Sequence, residues 1–170
     1  MKLSELFGLK KESENNELGL LFASLQKILV GLGEDKLKLI TGFAGLLGKT
    51  AYADMEISSS EQRRIRRVLN EVLHLEGSLV DSILELMLTH QAQLYSVEDH
   101  VYLRFINETC EKTQKLHLIE ALFAVAAADE TVSSEEDATI WNIAKSLHLS
   151  HKEFIQARIK YKEYLQVLKG

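Results

Sequence analysis

The chain has 170 residues, no proline and one cysteine, Cys110; 46% of it is apolar, 26% is charged, and the net charge is −5. That apolar share can bury a core, and a lone cysteine excludes an internal disulfide and a cysteine-built zinc site. The negative balance argues against bulk nucleic-acid binding, because neutralising phosphates needs a positive excess.

Met1 to Lys11 (MKLSELFGLKK) is a short amphipathic piece without the continuous apolar stretch of a secretory signal. Residues 10–17 (KKESENNE) read as a polar tether, so residues 1–17 precede a single helical domain over 18–170. Leu18 to Val30 is apolar on most faces and stops at Gly31-Leu32-Gly33. Glu34 to Ala53 is a long apolar helix, in which Gly42, Gly45 and Gly48 form a thin stripe for close helix approach. Its longest apolar run, Leu39 to Gly48, is about half a membrane span and lies between Lys38 and Lys49. A cytoplasmic location is therefore expected.

A loop follows at Asp54 to Ser58, and then Ile65, Val68, Leu69, Val72 and Leu73 keep the spacing of an amphipathic helix. Gly77 suits a C-terminal cap. Ser78 is predicted to cap a helix to about Leu94, and Ser96 another to about Glu111. Leu116 to Ala128 is an Ala/Leu-rich helix, and Asp129 to Ser133 a second loop. Ile140, Ile143, Ala144 and Leu147 mark the next helix, and Ser150 with Glu153 opens a last one to about Leu168. Neither Gly nor Pro occurs from Ser78 to Lys169, which also favours an all-α chain.

Two stretches match at an offset of 75: AYADMEISSSE at 51–61 and AAADETVSSEE at 126–136. Ile65 pairs with Ile140, Val68 with Ile143 and Leu69 with Ala144 downstream; Leu47 pairs with Leu122 upstream. The pattern predicts two helix–acidic loop–helix–helix repeats, about 18–94 and 96–168, packed around a pseudo-twofold axis.

Each loop has the form Ala-Asp-x-x-[Ile/Val]-Ser-Ser-x-Glu between helices. In this it resembles the TerB-like family, named for tellurite-resistance protein TerB, whose signature is Ala-Asp-Gly-x-[Ile/Val]-x-x-x-Glu in an all-helical bundle. The resemblance spans about residues 35–165. The family glycine is Met55 in one loop and Glu130 in the other. A positive φ at that position would strain both residues. The resemblance implies a non-enzymatic module of a stress or tellurite-resistance response, metal association, and a protein partner near or in the membrane.

The residues themselves leave two readings of the loops open. Asp54, Glu56 and Glu61, and Asp129 and Glu136, place oxygens at alternating positions, as a hard divalent cation such as calcium, magnesium or manganese requires. Five acids and no base lie in residues 129–137. Ser58 with Glu61 and Ser133 with Glu136 are equally capping boxes, and Asp54 and Asp129 suit Asx turns. On that second reading the protein is an interaction scaffold without an ion. An enzyme using Asp54 and Asp129 as paired carboxylates would need a cleft that nothing in the sequence indicates.

Other motifs carry less. Gly45-Leu46-Leu47-Gly48-Lys49-Thr50 looks like the end of a phosphate-binding loop, but Phe43 stands where its first glycine belongs and the stretch is helical. Arg63, Arg64, Arg66 and Arg67 read as a solvated face flanked by Glu61 and Glu71, with a phosphate patch as the alternative. His74 and His148 follow their helices at matching places and read as structural. Trp141 and Cys110 read as packing residues.

Overall fold

The computed structural model describes residues 22–168; the amphipathic piece and tether at 1–17 lie outside them. Regular structure among the described residues is helical. Residues 22–28 form α1, followed by a turn with Gly31 at φ +88°. Then come α2 (Glu34–Ala51), α3 (Ser59–Glu71), α4 (Gly77–Thr89), α5 (Gln91–Ser96) and α6 (Asp99–Thr109). α7 (Lys112–Ala126), α8 (Ser134–Ser146) and α9 (His151–Arg158) complete the bundle, and the chain closes with 3-10 turns over Ile159–Tyr164 and Gln166–Leu168.

The centre follows from the sequence of α2. Every residue from Ile40 to Gly48 is buried. A run apolar on all sides of a helix needs neighbours on all sides, and α4, α5, α6 and α7 supply them. α6 makes the most extensive contact with α2, across the glycine stripe. A β-carbon at Gly45 would overlap the Tyr102 ring, and one at Gly42 would overlap Ile106. The Tyr102 hydroxyl donates to the Leu94 carbonyl at 3.2 Å, so that ring cannot simply retreat. α7 is the second central helix: Leu118, Leu122, Phe123 and Val125 are fully buried, and α2, α3, α8 and α9 pack on it.

The corresponding helices α3 and α8 do not sit symmetrically. α3 lies on α4, as α8 lies on α9, but α3 also packs on α7 and on the 3-10 turn Ala127–Asp129, whereas α8 packs on α7, the helix that precedes it. Ile65, Val68, Ile140 and Ile143 nevertheless all belong to one continuous core.

Several boundaries differ from the sequence reading. Gly77 does not cap α3; it is the first residue of α4, and the left-handed residue after α3 is His74, at φ +53°. The helix expected from Ser78 to Leu94 breaks at His90, whose ψ of 20° departs from helical geometry, and a short α5 follows. Ser96 ends α5 instead of capping α6, which starts after Glu98. The helix expected to run on to Leu168 stops at Arg158. No helix among the described residues is long and apolar enough to cross a membrane.

Candidate functional site

The two acidic loops are built alike. Each begins with a 3-10 turn, Tyr52–Asp54 or Ala127–Asp129. Met55 and Glu130 follow, both at φ +69°, in the left-handed region where the family signature has glycine. Their N–H groups donate to the carbonyls of Tyr52 and Ala127 at 2.9 and 3.0 Å. Ile57 and Val132 then plug the core at 3% and 1% exposure. Ser58 and Ser133 open the next helices through reciprocal capping boxes. The Ser58 N–H donates to Glu61 Oε2 at 2.7 Å, and the Ser133 N–H to Glu136 Oε2 at 2.8 Å. Asp129 closes an Asx turn, its Oδ1 accepting from the Thr131 N–H at 3.1 Å.

The second loop and the flanks of the first, Ala53 and Glu61, line one cleft of about 650 Å³ between the end of α2, the first turn of α3 and the inner side of α8. Leu46, Ala126, Ile140 and Ile143 form its apolar part. Glu61, Asp99, Asp129, Glu135 and Glu136 give it five carboxylates. The ammonium among its lining residues is Lys49, held by Asp99 at 2.6 Å and by the Val97 carbonyl at 2.5 Å, and lying 5.6 Å from the centre of the half-exposed Tyr95 ring. Five carboxylates against one engaged ammonium make the local field strongly negative.

The candidate cation ligands are thus only partly brought together. Glu61, Asp129 and Glu136 line the cleft, each with an oxygen committed to its own loop backbone. Glu56 is exposed and does not line the cleft; the side chain of Asp54 lies outside what is described. Among the described residues no three His, Cys, Asp or Glu side chains converge closely enough to hold a metal ion. Sequence reasoning did not anticipate Asp99, Lys49 or Tyr95 here. Tyr95 lies in α5 and Asp99 opens α6, and only the packing of these two helices beside α2 brings them in.

The remaining motifs fall outside this chemistry. The Gly45–Thr50 stretch lies inside α2, and its lysine holds Asp99 and Val97. His74 and His148 are both left-handed residues after helices, at φ +53° and +62°. After α8 the Leu149 N–H donates to the Ala144 carbonyl and the His148 N–H to that of Lys145, each at 3.0 Å, a Schellman closure with histidine in glycine's usual place. Cys110 ends α6 in an extended conformation, and burial pushes its thiol up in pKa, the wrong direction for a nucleophile. Trp141 is half-buried on the side of α8 toward α9, with ring centroids 4.9 Å from Phe154 and 5.1 Å from His151.

No curated protein and no solved structure matches the chain. A family model does, over residues 41–159, from the middle of α2 to the end of α9. It is described as tellurite resistance protein TerB, and the chain belongs to that family.

Proposed function

We propose that this TerB-family chain is a non-catalytic binding module whose cleft receives a cationic group, and that the occupant is a basic side chain of a partner protein. The observation that carries this is one cleft with five carboxylates, where Glu61 from the helix start after the first loop joins Asp129 and Glu136 of the second. Two further features favour a side chain over a chelated ion. A volume of about 650 Å³ is in the range of organic ligand sites. Calcium, by contrast, takes 6–8 oxygens at roughly 2.3–2.6 Å, and the described carboxylates are not gathered that way. Tyr95 adds an aromatic face on the rim, suited to a guanidinium or ammonium.

A role in a tellurite or metal-stress response, a cytoplasmic location and a membrane-associated partner rest on the family and belong to the same reading. The test is titration calorimetry with an arginine-rich peptide, followed by thermal melting with calcium, magnesium and manganese. Peptide binding that weakens in Glu135→Gln and Asp129→Asn supports the reading. A divalent-ion stabilisation that sodium chloride does not reproduce overturns it in favour of an ion site. No response to either makes the loops purely structural.

A further inference from the structure

After α9 a strap, residues 159–168, runs beside the cleft; all but its first residue follow the end of the family match. Its attachment is slight. Leu165 is its one buried side chain, while Ile159, Val167 and Leu168 stand 53–59% exposed. Its turns are 3-10, the poorer hydrogen-bond geometry, and Tyr161 departs even from these at φ −115° and ψ 16°. Tyr161 stacks on Phe123 with ring centroids 5.8 Å apart, and Lys160 pairs with Glu120 at the surface. A segment held by so few buried contacts opens at a fraction of the cost of unfolding the bundle.

The strap joins the second loop by a single parallel bridge between Leu165 and Val132. The Val132 N–H donates to the Tyr164 carbonyl at 2.7 Å, and the Gln166 N–H to the Val132 carbonyl at 3.0 Å. This is the pattern of strand addition, in which main-chain bonds hold an extended segment and pockets receive alternate side chains. Bridge partners share a face, so Leu165 and Val132 enter the core together, each 1% exposed. Gln166 falls on the other face and lines the cleft. The strap residue that meets five carboxylates is therefore a neutral amide. At the first loop the matching carbonyl, that of Ile57, is closed by a side chain instead, the Gln62 amide at 3.0 Å.

We propose that the strap is a displaceable stand-in for the partner, and that the partner is an extended segment in which an apolar residue is followed by arginine or lysine. The assignment rests on the cleft taking a cationic group and names the segment that delivers it. The apolar residue takes the seat of Leu165, the backbone pairs with Val132, and the cation enters the cleft where Gln166 stands. A tether keeps the strap at an effective concentration of about millimolar, so a free segment displaces it by bringing the charge that Gln166 lacks.

The test is calorimetry of the full chain with three synthetic peptides. KEYLQVL is the strap's own sequence at 162–168, KEYLRVL has arginine in place of Gln166, and KEYGRVL also has glycine in place of Leu165. KEYLRVL is expected to bind about three- to fivefold tighter than KEYLQVL, the reach of an exposed ion pair, and about tenfold or more tighter than KEYGRVL, which has no apolar plug. Leu165→Ala frees the seat and should raise the affinity for KEYLRVL about tenfold. Gln166→Lys puts the cation on the strap itself, so the Val132 amide should exchange more slowly and KEYLRVL should bind about three- to fivefold more weakly. When KEYLRVL binds the wild type, the Gln166 amide should exchange faster while the Val132 amide stays protected, because the peptide supplies the acceptor that Tyr164 gave up. Circular dichroism checks that the helices of each variant persist; Gln166→Lys, at an exposed site, and the wild-type exchange do not depend on Leu165→Ala folding. Unchanged protection of the Gln166 amide in the bound wild type, or no effect of Gln166→Lys on KEYLRVL, overturns the proposal. Binding of the arginine-rich peptide without binding of KEYLRVL overturns it alone and leaves the cleft a cation site. Binding of neither peptide overturns both readings.

Discussion

Gln62 and Asp137 occupy the same step of two matching helices, four residues after the capping serine, and bond in opposite senses. Gln62 Nε2 donates to the carbonyl of Ile57 at 3.0 Å. Asp137 accepts a bidentate pair from Arg158, with Nε and Nη2 both at 2.7 Å, which raises the guanidinium's pKa further. The difference decides what each loop can hold. At the first loop the glutamine satisfies the Ile57 carbonyl. At the second the Val132 carbonyl is left to the C-terminal segment: the Gln166 N–H donates to it at 3.0 Å, and the Val132 N–H donates to Tyr164 at 2.7 Å. Leu165, 1% exposed, fixes that segment beside the cleft.

It follows that Asp137→Ala should loosen the C-terminal segment. The change leaves a partly buried guanidinium without its carboxylate, and the cost should be about 1–3 kcal/mol. In hydrogen exchange the amides of Val132 and Gln166 should open well before those of α2 and α7. Gln62→Ala should cost about 1 kcal/mol and leave the exchange of Val132 untouched. If the Val132 amide in Asp137→Ala opens only with the whole protein, Arg158 does not anchor the segment.

Met55 and Glu130 should be improved by glycine. A left-handed conformation costs an L-residue roughly 1–2 kcal/mol, and glycine returns about half of that through its freer unfolded chain. Met55→Gly and Glu130→Gly should each stabilise the fold by about 0.5–1 kcal/mol in denaturant melts, additively, because the two loops share no direct partner. A destabilising glycine at either site would mean that the side chain contributes packing or charge that offsets its strain.

The parts of this fold legible in the sequence are those set by local chemistry. The capping boxes at Ser58, Ser133 and Ser150 depend on residues three apart, and all three form. The glycine stripe of α2 announced a close helix neighbour, and the partner proved to be α6. What stayed hidden depended on tertiary placement. Nothing near His90 marks the break between α4 and α5, since no glycine or proline is there. Two histidines, His74 and His148, take the left-handed position that sequence rules give to glycine, and Gly77 opens α4 instead of capping α3. The cleft could not be foreseen because its walls come from α2, α3, α5, α6 and α8, and because α3 and α8 pack differently on α7.

Acid should unlatch α9 late. The Lys112 ammonium, 2.6 Å from Glu153, together with the Ser150 N–H and hydroxyl, holds the Glu153 carboxyl down at about 2. In the unfolded chain it titrates near its ordinary value of about 4.3. A folded value below the unfolded one gives stability that is full above pH ~4.3 and lost as pH falls through about 2. Trp141, packed on Phe154 of α9, reports the change. Glu153→Gln keeps an acceptor for the cap but loses the pairing with Lys112. Its fluorescence should therefore change less than that of the wild type between pH 4 and pH 2. Identical acid profiles would show that the carboxylate does not hold α9.

The cleft's charge and the loops' stability can be separated at Glu136. Its Oε2 is the acceptor of the Ser133 N–H in the capping box, and its carboxylate is also one of five lining the cleft. A glutamine side-chain oxygen accepts the same hydrogen bond, since capping boxes use Glu or Gln. Glu136→Gln should thus melt within about 0.5 kcal/mol of wild type, while removing one negative charge from the cleft. Ser133→Ala does the reverse. It deletes the oxygen that accepts from the Glu136 N–H at 3.1 Å, costing about 1 kcal/mol, and leaves the cleft's charge intact. If the cleft binds cations by its field, Glu136→Gln should weaken the arginine-rich peptide about three- to fivefold and Ser133→Ala should not, an exposed ion pair contributing up to about 1 kcal/mol. The measurements are chemical denaturation of both variants and peptide titration at two salt concentrations. Should the two variants lose affinity in proportion to their loss of stability, the loops act only as scaffolding. Should Glu136→Gln lose affinity alone, and lose more of it at low salt, the carboxylate acts on the ligand directly.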